Sequence, residues 1–161
     1  MLEEHILDAA IHDRATFACG VPALDEYLHR FAVQQSKKGV TAVHVLVDSS
    51  APTTILGYYT LSAAQVDVAQ LDERSRKNLP RYPVPCFRMG RLATSTHHQG
   101  RGIGKVLIGC VVDRCLEARK QIAAYALLVD AKDERAKAFY LHYAFVALRD
   151  SPLTLLLPFG K

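Results

Sequence analysis

The spacing of apolar residues changes several times along the chain, and each change marks an element. Between residues 22 and 38, Leu24, Tyr27, Leu28, Phe31 and Ala32 recur at i, i+3, i+4, i+7 and i+8, the stripe of an amphipathic helix. Pro22 suits its first turn, and Gly39 ends it. Residues 41–47 and 55–63 are rich in β-branched, aromatic and aliphatic side chains and flank a short turn containing Pro52, the pattern of an antiparallel hairpin. Pro80, Pro83 and Pro85 exclude a central strand or helix interior across 67–85. A strand resumes at about 86–94. A helix follows over about 102–119, with Ile103, Val106, Leu107, Cys110, Val111 and Leu116 on its apolar face. The nearly continuous apolar run over 122–130 reads as a strand buried on both faces. Asp133 is placed to cap a short helix carrying Ala136, Phe139, Tyr140 and Tyr143 on one side. Two short strands, 144–148 and 153–157, close the chain. The pattern predicts an α/β fold with a mixed, twisted sheet of about six to seven strands flanked by helices.

Length and composition narrow this picture. A chain of 161 residues, 50% hydrophobic and 22% charged, is expected to form one globular domain over 1–161. The longest uncharged apolar run, Ile122 to Val129, is far short of the roughly 20 residues that span a bilayer, so no membrane role is expected. The start, Met1-Leu2-Glu3-Glu4, lacks the basic and apolar regions of a secretory signal, and a cytoplasmic location is expected. Cys19, Cys86, Cys110 and Cys115 form no C-x-x-C pair and read as reduced thiols. The histidines are scattered, so no metal site is expected.

Charge is more informative in its distribution than in its sum of +4. No acid occurs from Arg74 to Val112, a stretch that holds Arg74, Arg76, Lys77, Arg81, Arg88, Arg91, Arg101 and Lys105. Such asymmetry points to a polyanionic partner.

The segment with the clearest chemistry is Gln99-Gly100-Arg101-Gly102-Ile103-Gly104, between a predicted strand and a predicted helix. Alternate glycines let the backbone approach a ligand, and the helix start offers free N–H groups and a positive dipole end, a site for a pyrophosphate. A dinucleotide fingerprint would need G-x-G-x-x-G; a Walker loop would need a hydroxyl residue after Lys105. The Q/R-x-x-G-x-G/A pattern matches residue for residue.

On these residues the chain resembles the GCN5-related N-acetyltransferase (GNAT) superfamily. The likeness includes Gly90-Arg91-Leu92-Ala93, Val129-Asp130-Ala131 and Ala138-Phe139-Tyr140. It is closer to one branch, the toxin–antitoxin acetyltransferases that act on aminoacyl-tRNA. That branch shares Phe17-Ala18-Cys19-Gly20, Leu24-Asp25-x-x-Leu28, Gly57-Tyr58-Tyr59-Thr60-Leu61-Ser62 and Leu79-Pro80-Arg81-Tyr82-Pro83. Ala144-Phe145 departs from the family's usual Gly-Phe.

The resemblance implies acetyl transfer from acetyl-coenzyme A to an amine, with no metal. Backbone groups of Leu92, Ala93 and Thr94 would bond the pantetheine arm. Gln99, Gly100, Arg101, Gly102, Ile103, Gly104 and Lys105 would hold the pyrophosphate. Tyr140 matches the family's general acid, although its spacing alone favours a core aromatic beside Phe139. Water, or the hydroxyl of Thr94 or Ser95, is the candidate base. An α-amino group, with pKa near 7.7–8.0, demands less of a base than a lysine does. Arg74, Arg76, Lys77, Arg81, Arg88 and Arg91, the last two expected on one face of their strand, would meet tRNA phosphates. The branch also implies a ribbon-helix-helix antitoxin, and a homodimer would double the basic face. Two other functions stay open: an acetyltransferase for a protein N-terminus or small amine, and a module that binds acetyl-coenzyme A without turnover.

Overall fold

The structure is a computed structural model and describes residues 1–160. Its strands are β1 (Leu2–Ile6), β2 (Ala42–Asp48), β3 (Gly57–Val66), β4 (Val84–Thr94), β5 (Ala126–Asp130), β6 (Val146–Ala147) and β7 (Thr154–Pro158). Its helices are α1 (Pro22–Glu26), α2 (Ala32–Lys37), α3 (Glu73–Arg76), α4 (Ile103–Ala118) and α5 (Glu134–His142). The strands hydrogen-bond in the order β1-β2-β3-β4-β5-β7-β6. β1–β2, β2–β3, β5–β7 and β6–β7 are antiparallel, and β4–β5 is parallel, so the sheet is mixed as expected.

The chain forms two compact units. One contains Met1–Ser62 and Gly90–Asp113; the other contains Ala63–Met89 and the chain from Arg114. The first is built around Phe17, Tyr27, Leu28, Val43, Val45, Val47 and Tyr58. The second has its own cluster of Val66, Leu71, Val84, Cys86, Leu128 and Leu156. Each aliphatic side chain buried this way contributes about 1.5–3 kcal/mol.

Several boundaries differ from the sequence reading for identifiable reasons. The helix expected over 22–38 carries a π turn at Tyr27–Phe31, closed by the Ala32 N–H on the Tyr27 carbonyl. The extra residue rotates the following face, so Tyr27, Leu28 and Ala32 are buried while Phe31 is turned out. β1 was not foreseen, because Glu3, Glu4 and His5 give it no apolar run. It is an exposed edge strand, anchored where the Met1 ammonium meets Asp48. Pro85 lies inside β4, contrary to the expectation that it excludes a strand. The β4–β5 register starts one residue later, at Cys86, and Pro85 contributes only its carbonyl, to the Tyr125 N–H. The strand expected from 122 begins at Ala126, since the Gln121 and Ile122 amides continue the end of α4 by bonding back to Ala118.

The end of α5 decides how Tyr140 is held. Ala144 is in the left-handed region, with φ of 73°. Its N–H bonds to the Leu141 carbonyl, and the Phe145 N–H bonds to the Tyr140 carbonyl, a Schellman arrangement. The accompanying apolar contact is Phe145 against the Tyr140 ring, with centroids 5.4 Å apart. A Cβ in this conformation costs about 1–2 kcal/mol, partly offset by the greater unfolded-state freedom of glycine. Ala144→Gly is therefore expected to stabilise the protein by about 0.5–1 kcal/mol. Thermal unfolding should show a rise in Tm of about 1–4 °C. No rise would mean that Ala144 carries no strain.

Candidate functional site

The glycine-rich loop precedes α4. Gly100 and Gly102 have φ of +85° and +76°, and a Cβ at either would meet no atom within 4 Å. The loop is thus left-handed at two points, with open space in front of it. The first helical bond runs from the Val106 N–H to the Gly102 carbonyl. This leaves the amides of Ile103, Gly104 and Lys105 without intrahelical acceptors, at the positive end of a helix of 16 residues. Arg101 and Lys105 are exposed. These residues fit a pyrophosphate in shape, donor supply and charge.

The other loop residues mainly brace it. The Gln99 side-chain amide donates to the Cys19 carbonyl at 3.2 Å and to the Thr94 carbonyl at 3.4 Å. Gln99 thus fixes the loop to the end of β4 and to the chain before α1. Arg101 lies 2.8 Å from Nδ1 of His98. The Ser95 amide bonds to the Leu56 carbonyl and the Thr96 amide to the Ala18 carbonyl, which pins the exit of β4. Ala93 is buried, with Leu92 and Thr94 half-buried beside it.

Tyr140 is buried on α5, where Asp133 caps the first turn by accepting the Ala136 N–H at 2.8 Å. Its ring is fixed between Phe139 and Phe145. Its hydroxyl hydrogen-bonds to no described residue. Burial, and secondarily the nearby Asp130 carboxylate, push the phenol up to about 12. The result is a rigid phenol that stays protonated at neutral pH. Asp130 was missed as a neighbour of Tyr140; its place at the end of a buried strand, before the capping Asp133, was the available signal. Burial pushes the Cys19 thiol up to about 11 and the Cys115 thiol to about 12, and raises Cys86. These thiols are held in the form that does not attack a thioester.

The basic residues are less uniform than the sequence implied. Arg88 is ion-paired to Asp130, whose other oxygen accepts from the Thr154 hydroxyl at 3.0 Å. The Arg91 guanidinium lies 3.5 Å above the centre of the Tyr27 ring. Tyr27 in turn stacks on Tyr58. The two arginines thus have separate partners and do not form the shared free face expected of them. Arg74 and Arg76 lie on α3 beside Asp72 and Glu73, and Arg76 is 3.9 Å from Glu73. Arg76, Lys77 and Arg81 come together around a cavity of about 500 Å³.

A family model described as the acetyltransferase (GNAT) family matches residues 11–145. The chain is 34% identical over 145 residues to a tRNA-acetylating toxin from Mycobacterium tuberculosis (strain ATCC 25618 / H37Rv), covering 90% of this chain and 85% of that protein. Among solved structures it resembles AtaT complexed with acetyl-methionyl-tRNAfMet. There the TM-score is 0.91 at 28% identity, over 98% of this chain and 95% of that one. It also resembles a Tyr→Phe variant of AtaT bound to the C-terminus of the antitoxin AtaR and acetyl-CoA. That likeness has a TM-score of 0.84 at 26% identity, over 98% and 93% of the two chains. Among the described residues no helix is long and apolar enough to cross a membrane, and no group of three or more His, Cys, Asp or Glu could hold a metal ion.

Proposed function

Because the chain belongs to the GNAT acetyltransferase family, we propose that it acetylates the α-amino group of aminoacyl-tRNA and acts as a toxin that blocks translation. The observation that carries this acceptor is the likeness, over 90% of the chain, to an enzyme named for tRNA acetylation. The antitoxin-bound and tRNA-bound AtaT structures support the same reading.

Acetyl-coenzyme A supplies an activated acetyl thioester. The amides of Ile103, Gly104 and Lys105, with Arg101, hold the pyrophosphate, while Gln99 keeps the loop in place. Backbone groups of Leu92, Ala93 and Thr94 align the pantetheine arm. As the amine attacks the carbonyl carbon and the C–S bond breaks, Tyr140 donates its hydroxyl proton to the departing thiolate, the amine gives its proton to water, and the resulting phenolate regains a proton from solvent. An α-amine needs no strong base, since a substantial share is already neutral near pH 8. The antitoxin is a ribbon-helix-helix protein, and the toxin is a homodimer.

The test combines the protein with labelled acetyl-coenzyme A and either charged or deacylated tRNA. Label should appear on the amino acid of charged tRNA only. Label on a peptide N-terminus or polyamine instead would overturn this acceptor. Binding should also weaken linearly with log salt. Changing Arg74 and Arg81 to alanine should reduce the slope by about 2, with acetyl-coenzyme A affinity retained. An unchanged slope would remove those two residues from the RNA contact.

A further inference from the structure

The cavity of about 500 Å³ between β3 and β4 in the chain has a composition that a plain phosphate-binding face does not need. Its lining combines apolar residues, Val68, Ala69 and Leu79, with the cations Arg76, Lys77 and Arg81. Its single acid, Asp67, caps the short turn Val68–Gln70 by accepting the Ala69 N–H at 2.9 Å. Arg76 has only a long contact to the exposed Glu73, while Lys77 and Arg81 have no ion-pair partner among the described residues. Directly after Arg81 comes Tyr82, 66% exposed, with no ring or hydrogen-bond partner among the described residues. The proline on its far side, Pro83, limits the local backbone.

A duplex offers phosphates but no base faces, and so has no use for an apolar lining or a bare aromatic ring. A single-stranded nucleotide uses all three features. Its base stacks on an aromatic ring or a guanidinium plane and against aliphatic carbons, and its phosphate takes the cations. The volume falls within the roughly 300–1,000 Å³ of small-molecule sites. We propose that this cavity, with Tyr82, is a binding site for one unpaired nucleotide of the RNA substrate. The proposal rests on the aminoacyl-tRNA reading and deepens it. It assigns the 74–82 segment to a single-stranded part of the RNA rather than to helical phosphates.

The same nucleotide chemistry occurs in coenzyme A, so the experiment has three ligands: a short single-stranded oligoribonucleotide, a blunt RNA duplex and coenzyme A. Each is titrated against the full chain as wild type, Tyr82→Ala, Tyr82→Phe and Ala69→Trp. Tyr82 is exposed, so its variants should fold normally; Ala69→Trp fills the cavity. Tyr82→Ala should weaken the single strand roughly 5- to 150-fold, the worth of one stacked base. Tyr82→Phe should restore it, and Ala69→Trp should weaken it at least tenfold. Duplex and coenzyme A affinities should stay within twofold. Equal loss for single strand and duplex, or no loss for either, overturns the site. Loss confined to coenzyme A assigns the cavity to the cosubstrate and overturns the RNA assignment. Acetylation of charged tRNA by the wild type is scored separately: its absence refutes the acceptor, whereas its presence with an unchanged Tyr82→Ala affinity refutes only this site.

Discussion

Tyr140→Phe should lower turnover by about 10²–10⁴-fold, the usual worth of a general acid. The loss should fall on kcat. The substitution removes one hydroxyl that bonds to no described residue, so no buried partner is orphaned. The ring contacts to Phe139 and Phe145 are kept. Melting temperature, circular dichroism and acetyl-coenzyme A affinity should therefore match wild type. The pH dependence adds a second check. With the phenol raised to about 12, its neutral, donating form persists through pH 10, and the rate is lost only as pH rises through the folded pKa. Wild-type kcat should accordingly show no descending limb below about pH 10 from this group. A variant with near-normal turnover would return Tyr140 to the role of a core aromatic, a role its burial also allows.

The structure also shows what the sequence could convey. The special conformation of the glycine-rich loop was legible because alternate glycines between a strand and a helix have few other uses, and both left-handed positions fall on those glycines. α4, α5 with its Asp133 cap, and the buried part of β5 were legible from period and capping chemistry. β1 was not, because its central residues Glu3, Glu4 and His5 carry no apolar signal; its pairing with β2 is a tertiary fact. The π turn was not, because a one-residue insertion leaves the apolar count unchanged and only moves Phe31 outward. The basic segment was half legible. A run without acids hides the fact that Asp130, 42 residues further on, returns to pair with Arg88. It also hides that an aromatic ring lies under Arg91. Such pairings depend on chain folding and leave no local mark.

The loop itself yields the other large effect. Gly102→Asp is expected to abolish acetyl-coenzyme A binding while the fold survives. The new Cβ meets nothing within 4 Å, so no core atom must move. The backbone at φ +76° is one that aspartate tolerates better than most residues, at a cost of about 1 kcal/mol. The damage is electrostatic and steric toward the ligand. A carboxylate about 4 Å from one phosphate charge opposes it by about 4 kcal/mol at an effective dielectric of 20, roughly 10³-fold in affinity. Gly102→Asn, nearly the same size and uncharged, separates the two causes: it should weaken binding by only about tenfold if charge dominates, since it forgoes that repulsion. Calorimetry measures both variants, with circular dichroism confirming the fold. Equal losses in Asp and Asn would make the effect one of shape, and wild-type affinity in Gly102→Asp would remove the pyrophosphate from this loop.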